Sequence, residues 1–582
     1  MALVASVTGL MMFGSSARAT TTWNDAESVS FAGGVAATSN QWSDVWSVSC
    51  PTAGNCTAVG EFTNTAGGYE GFTARSTNGT WQQAQTINFG SGVAAAGANA
   101  ASATKSVSCA SVSFCAAVGS VRTTSASGIE AFAITYSNGS WSTATLANFG
   151  SLAQQASQYA TFTSVSCPAS GSCVAVGQFT DSNSKVRAFT MTMTNGSWGS
   201  ATPASFGAGV NVPRTMGYTG FMSVSCASAG NCVAGGSYDT AFSTKEAFTM
   251  TMSNGSWGQA APVEFPAGLQ SSSRESDVLT VSCASVGYCI ASGGVTASAG
   301  NYTGFTVVST NGVWGTAQAI QFSSSLQPAG GYSYVYSSTC SSVGNCVAAG
   351  EFENLPYGQS EAFVMTMTNG VWGSPTPVAF AAGVQKTNRQ GYLQAVVCPS
   401  DGNCTAVGQF WDQANDRPAF SVSMTNGVWG QAIPIAFPVG VQNNAPQARA
   451  RAVSCASPGN CVAGGYFLDS SSGGNYQGLL ASSVNNSVQS TSTSTTLPSV
   501  TTTVAPTTTI ANTFGITTTT SVATSISRSG NLPSTGRETF GWVLYAGFAM
   551  TLAGGLVVAG RRHRARAMQL CSGTDTAGNP RP

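Results

Sequence analysis

Apolar and β-branched residues recur along this chain in short runs of period two, and the same four runs return at a nearly constant interval. The unit beginning at Ser223 reads SVSCASAGNCVAGGSY, then a variable stretch, then EAFTMTMSNGSWGQAAPVEFPAGL. Run A ends at a first Cys, run B begins at a second, run C is Ala-Phe-Thr-Met-Thr-Met, and run D starts at a Trp and ends at a Phe eight residues on. Alternation bounded by turn residues predicts four antiparallel strands per unit. The C–D connection is Asn-Gly in almost every unit, as at Asn78-Gly79, Asn195-Gly196 and Asn426-Gly427. A type I′ hairpin turn needs φ > 0 twice, which this dipeptide tolerates.

The interval is set by eight C-x5-C pairs: Cys50/Cys56, Cys109/Cys115, Cys167/Cys173, Cys226/Cys232, Cys283/Cys289, Cys340/Cys346, Cys398/Cys404 and Cys455/Cys461. Four short strands in a unit of ~58 residues are the anatomy of a β-propeller blade. Eight D runs start at Trp23, Trp81, Trp141, Trp198, Trp257, Trp314, Trp372 and Trp429. They stand one step out of phase with the cysteines. The first D run precedes any Cys pair, and the last Cys pair has no D run after it. Ring closure explains the offset and removes the edges an open array would leave. The expected fold class is therefore all-β: one eight-bladed β-propeller over residues 20–482, closed by the N-terminal strand around Trp23. An open twisted array is the competing architecture.

Each Cys pair flanks a tight hairpin, where strand ends lie near enough to be bridged. Intra-unit disulfides are expected, each worth ~2.4 kcal/mol by the loop-entropy model. Metal binding would require thiolates alone, since the one His in the chain is His563. Regular Cys pairing points to an oxidising compartment. Charged residues make up 7% of the chain. Between Thr20 and Thr535, 19 acidic residues face 14 basic ones, so the body has no electrostatic footprint for nucleic acid.

The ends carry addresses. Residues 1–19 hold an apolar stretch, Leu3 to Phe13, before Ala17-Arg18-Ala19, which reads as the end of a signal peptide lacking its basic start. Residues 483–531 are rich in Ser and Thr and read as an extended stalk. Then come Leu532-Pro533-Ser534-Thr535-Gly536, an uncharged stretch over 540–560 long enough for one bilayer crossing, and a basic tail over 561–582 that orients the C-terminus inward. This three-part ending resembles the LPxTG sorting signal of Gram-positive cell-wall proteins. The resemblance implies sortase and peptidoglycan as partners, cleavage between Thr535 and Gly536, and an extracellular, wall-anchored head. A plain single-pass anchor is the alternative.

The A–B and C–D connections share one face of the ring and hardly change between units; the B–C and D–A connections share the other and vary widely. A rigid scaffold with variable loops is a common way to build a binding surface. The candidate ligand face comprises Tyr69, Tyr302, Tyr357, Trp411 and Tyr476 with Arg214, Arg274 and Arg389, and D–A aromatics including Tyr334 and Tyr392 accompany them. Aromatics with a few polar partners suit a glycan or protein ligand. The units also loosely resemble BNR or Asp-box repeats, as in sialidases, but the turn S/T-N-G-x-W lacks their Asp and is one residue shorter. Glu61, Glu351 and Glu353 sit at B-strand ends and read as solvated loop charges. No recurring carboxylate pair of the kind glycosidases use is visible, and the ectodomain has no His for triad chemistry. The expectation is a monomeric surface-displayed binding or adhesion head without catalytic residue, metal or cofactor. A wall-layer structural role and a glycosidase-like propeller are the alternatives.

Overall fold

The structure is a computed structural model, and it describes residues 21–36, 42–95, 97–124, 128–150, 159–207, 210, 218–240, 244–270, 275–297, 300–355, 357–438, 447–469 and 474–485. The signal peptide, the sorting motif, the membrane span, the basic tail and the stalk from residue 486 lie outside the described residues. Arg214 and Arg274 do too. Among the described residues no helix is long and apolar enough to cross a membrane.

Eight antiparallel sheets repeat one plan. In blade 1 the inner strand is Ser43–Thr52, the second Asn55–Thr63, the third Tyr69–Thr77, and the outer strand consists of two pieces, Thr80–Trp81 and Gln85–Thr86. Inner strands of successive blades pack side by side around the ring, and that of blade 8, Ala448–Ser457, packs against that of blade 1. Blade 8 is completed from the far end of the chain: Thr21–Trp23 pairs with Asn475–Asn485, with Thr21 opposite Asn485 and Trp23 opposite Ser483. The phase offset between the Trp and Cys ladders is thus the signature of a closed eight-bladed ring. Residues 483–485, expected to open the stalk, instead belong to this strand, because they pair with the incoming N-terminal segment.

All eight C-x5-C pairs form disulfides, each within its own blade. Cys50 is bonded to Cys56, Cys109 to Cys115, Cys167 to Cys173 and Cys226 to Cys232. Cys283 is bonded to Cys289, Cys340 to Cys346, Cys398 to Cys404 and Cys455 to Cys461. Their Cα separations are 3.9–4.1 Å. One detail of the expectation is corrected: the cysteines do not mark the strand ends. The inner strand continues past Cys50 to Thr52, and the second starts at Asn55, ahead of Cys56. The same extension places Cys115, Cys173, Cys289, Cys346, Cys404 and Cys461 inside their strands. The turn proper is shorter than the Cys spacing suggests, so each bridge spans two paired strands rather than a loop. Cys109 faces Cys115 in register, as Cys226 faces Cys232, Cys283 faces Cys289, Cys340 faces Cys346 and Cys455 faces Cys461. All the cysteines of these bridges are buried, where they pack as small apolar groups.

The outer run is not one continuous strand. Its Trp stays with its own blade, as Trp198 and Trp429 do. Its Phe crosses to the next: Phe31, Phe89, Phe149, Phe206, Phe265, Phe322, Phe380 and Phe437 each pack on a ring of the following blade at 4.2–5.1 Å. The Trp-to-Phe spacing is therefore a strap between blades, and such aromatic pairs add stabilisation beyond their buried area.

Two polar systems complete the scaffold. On the inner strands, at six seams, the Ser before one Cys accepts from the backbone N–H of the next blade's Cys, while blades 6 and 7 carry Thr339 and Val397 at that position. Ser49 does so for Cys109, Ser108 for Cys167, Ser166 for Cys226, Ser225 for Cys283, Ser282 for Cys340 and Ser454 for Cys50, at 2.9–3.1 Å. On the uniform face, the Gly N–H of the Asn-Gly turn donates to a Gly carbonyl in the A–B hairpin of the same blade, as Gly79 does to Gly54 at 2.8 Å and Gly196 to Gly171 at 2.9 Å. The uniform face repeats because its two hairpins are fastened to each other. Gly54 has φ +73° and a Cβ there would stand 2.8 Å from the Gly79 nitrogen, so glycine is required.

Candidate functional site at the variable face of the ring axis

Each inner strand runs from the variable face to the uniform one. Its far half carries the repeated Ser ladder and Cys. Its first half carries, at the positions six and four residues before the Cys, a different pair in every blade: Asp44 and Trp46, Ala103 and Lys105, Thr161 and Thr163, Gly220 and Met222, Asp277 and Leu279, Tyr334 and Tyr336, Tyr392 and Gln394, Arg449 and Arg451. From blade 5 round through blade 8 to blade 2, side chains at these positions meet one another across the seams between blades and gather charge and aromatic surface at one end of the ring axis.

At the closing seam, Arg451 Nη2 of blade 8 lies 3.1 Å from Asp44 Oδ2 of blade 1. The Arg451 guanidinium sits 4.3 Å from the Trp46 ring and 5.0 Å from the Tyr466 ring, and Lys105 Nζ of blade 2 sits 4.4 Å from Trp46. Trp46 Nε1 donates to Glu61 Oε1 at 3.2 Å, and Lys105 Nζ is 3.9 Å from the same oxygen. A cation over an aromatic face is favourable, more so when partly desolvated. Asp44 is wholly enclosed. Burial pushes its carboxyl up to about 7, with Arg451 opposing and Glu61 reinforcing the shift.

The arc continues through blades 7, 6 and 5. Arg449 donates through Nη2 to Gln394 and stands 5.1 Å from the Tyr392 ring. Burial works against the Arg449 charge, but Tyr392, Tyr466, Tyr336 and Asp44 outweigh it and raise its pKa. Burial likewise pushes Tyr392 up to about 12. Tyr336 donates to Glu351, as does Ser360. Tyr334 Oη donates to Asp277 Oδ1 at 2.6 Å, and Lys245 Nζ lies 3.2 Å from Asp277 Oδ2. Tyr334 can lie flat there because Gly294 leaves room: a Cβ on Gly294 would be 2.5 Å from its ring. Each carboxylate of the cluster has a cation or hydroxyl partner. Such a set can bind through aromatic faces and exchangeable ion pairs.

The residues expected on the ligand face divide. Tyr69 and Tyr357 are exposed at the rim, Tyr69 edge-on to Trp42 at 5.7 Å. Tyr302, Trp411 and Tyr476 turn inward. Tyr302 Oη donates to Glu275 Oε2 at 2.6 Å, Trp411 meets Tyr392 at 6.3 Å, and Tyr476 meets Tyr466 at 5.2 Å while donating to Gln447. Arg389, in the left-handed region at φ 57°, points its Nη1 to 3.8 Å from Glu361 Oε1. Two expectations are corrected. Tyr334 and Tyr392 are inner-strand residues rather than loop residues, since Ser333–Ser342 and Gly391–Ser400 begin before them. Glu61 and Glu351 are not solvated loop charges; their strand register turns them into the axial cluster, Glu61 opposite Asp44 and Glu351 opposite Tyr334. Asp44, Trp46, Lys105, Arg449, Arg451 and Tyr466 are not singled out by the repeat pattern. For the first five the signal is the pair of inner-strand positions that fails to repeat; Tyr466 stands on the second strand, opposite Arg449.

No family model and no curated protein matches the sequence. Among solved structures, the chain is similar in outline to a protein of unknown function from Dyadobacter fermentans DSM 18053, at 8% identity over 80% of this chain and 99% of that one, with a TM-score of 0.35. It is also similar to the GH74 xyloglucanase from Xanthomonas campestris, at 12% identity over 77% of this chain and 60% of that one, TM-score 0.36. A third is the Trypanosoma rangeli sialidase in complex with sialic acid, at 10% identity over 70% of this chain and 56% of that one, TM-score 0.30. At these scores none of them carries an argument about this chain. The eight-bladed β-propeller stands on its own strand pairing.

Proposed function

We propose that this chain is a surface-displayed binding protein whose propeller takes a glycan or protein ligand at the variable-face end of its axis. One observation carries the reading. The inner strands repeat closely where they only hold the ring together, and differ in every blade where Trp46, Lys105, Glu61, Arg451, Tyr392 and Tyr336 gather. The polarity of the chain supports display. The third strand of blade 8 runs toward the uniform face and ends there at Asn485, so a tether continuing from it leaves the variable face pointing away. The LPSTG sequence at 532–536, the uncharged span and the basic tail supply the tether in this reading, with sortase joining Thr535 to peptidoglycan.

Binding is preferred to catalysis because Asp44, whose carboxyl is pushed to about 7, is fully enclosed and cannot touch a substrate. The test is a glycan and matrix-protein array probed with the purified protein. Saturable binding is expected, lost in Lys105→Ala and weakened in Tyr357→Ala/Trp411→Ala, with each variant still folded by circular dichroism at the temperature of the assay. No saturable binding, or binding indifferent to both sets, overturns the proposal.

A further inference from the structure

The uniform face is uniform in backbone but not in polarity. At the residue after each Asn-Gly turn, blades 1–4 carry Thr80, Ser140, Ser197 and Ser256, whereas blades 5–7 carry Val313, Val371 and Val428. These valines are 71%, 72% and 50% exposed. Beside them stand the A–B hairpin tips Val286 and Val343, also exposed. Nothing in the turn calls for valine, because the same turn with the same φ values forms in blades 1, 3 and 4 with Thr or Ser. Five exposed valines on three consecutive blades form an apolar arc, the kind of surface that marks a contact; it is interrupted once, at the blade 7 hairpin tip, by Asp401, whose carboxylate accepts from Ser341, Ser342 and Asn345 of blade 6. Val112, exposed on blade 2, stands apart from it, with Ser140 at the neighbouring turn.

We infer that the arc is the docking surface for the first part of the chain's own Ser/Thr-rich segment, residues 486–516, which lie outside the described residues. The described chain ends at Asn485 on this same face, in blade 8, next to blade 7 where the arc begins. On its other side blade 8 meets blade 1, whose corresponding tips are Ala53 and Thr80. The segment is uncharged until Arg528 and brings Leu497, Val500, Val504 and Ile510 in sequence. Eleven residues precede Leu497. Extended, they reach ~36 Å, against a radius of gyration of ~23 Å for a compact body of this size, so the arc is within range. Covering it removes apolar surface from water and holds the head at a set angle to its tether. Only that last consequence rests on the proposed display. Docking is read from the segment itself and ligand binding from the array, so either can fail alone.

The experiment is hydrogen exchange on the full chain and on the triple variant Val313→Ser/Val371→Thr/Val428→Thr, which installs residues that blades 1–4 already carry. Amides between 490 and 510 should exchange at least ~10-fold more slowly than in an unstructured peptide of the same sequence, and the variant should abolish that protection while exchange in the blades stays unchanged. The reciprocal variant Leu497→Ser/Val500→Ser/Val504→Ser leaves the ring untouched and should expose the arc to an apolar dye. Unprotected exchange in the parent chain overturns the inference. So does protection that survives both variants, or a valine-dependent dimer by light scattering, which would make the arc a contact between copies.

Discussion

The backbone N–H of Cys50 donates to Ser454 Oγ at 3.0 Å across 404 residues of chain. This bond joins the first blade to the last, and it is the same bond that joins blade 1 to blade 2 through Ser49 and Cys109. The seam where the ring closes is therefore built like an interior seam. Removing the hydroxyl strands a buried N–H, which costs ~1–3 kcal/mol. Ser454→Ala should lose about that much in denaturant unfolding, and Ser166→Ala a similar amount. A loss at Ser166 with none at Ser454 would mean that closure does not depend on this bond.

The N-terminal strand supplies five paired residues to blade 8, Thr21–Trp23 and Glu27–Ser28. It also delivers Ala26 and Val29 to two different cores and Phe31 to blade 1. Deleting residues 20–32 should lower the thermal midpoint of the whole propeller in one cooperative step, since an open ring leaves edges at both ends. Calorimetry showing an unchanged main transition would contradict closure by this strand.

Asp44 gives the ring a pH dependence. Its folded pKa, about 7, lies above the ordinary value of 3.8. A raised pKa means the folded state keeps a proton that the unfolded state has released. The contribution is fully present below about 4, falls as pH rises toward 7, and is flat above that; three units correspond to ~4 kcal/mol at most. Asp239, Glu361, Glu27 and Asp416 are raised as well and add slope of the same sign, while Asp181 is lowered and opposes it. The comparison with Asp44→Asn is therefore decisive. The variant should flatten the stability profile between pH 4 and 7 and be more stable than the parent at pH 8. Superimposable profiles would remove Asp44 from the account.

The closed ring is legible in the sequence because two ladders with the same period are offset, and only closure reconciles them. The disulfides are legible too, since Cys56, Cys115 and their counterparts each stand six residues from a partner. The site is less legible for a related reason. Repeat reading rewards positions that recur, so the positions six and four residues before each first Cys pass as noise, although Arg449, Arg451 and Trp46 stand there. The variable loops carry the louder signal, yet Tyr302 and Tyr476 stand at the start of third strands rather than in loops and are tied inward by Glu275 and Gln447. The start of a strand cannot be told from the end of a loop by composition, which is why Tyr334 and Tyr392 read as loop residues. The Ser ladder is in plain view as Ser-Cys. Its role is hidden because its partner lies one repeat away.

The Asn-Gly turns offer an internal contrast. Asn-Gly deamidates when the Gly nitrogen attacks the Asn side-chain carbonyl, closing a succinimide and releasing ammonia; water then opens the ring. In blades 1 and 3–7 that nitrogen is engaged, donating at 2.8–2.9 Å to the Gly carbonyl of the neighbouring hairpin. Blade 2 has Ser113 where the others have that Gly, and Gly139 makes no such bond. Attack in six blades must first break this bond, whereas at Asn138 the nitrogen is not held by it. Peptide mapping after prolonged incubation at pH 8 should find isoaspartate first at Asn138, at least ~10-fold ahead of Asn78, Asn195, Asn254, Asn311, Asn369 and Asn426, with all seven converging once the protein is reduced and unfolded. Equal rates in the folded protein would show that the hairpin staple does not restrain the turn.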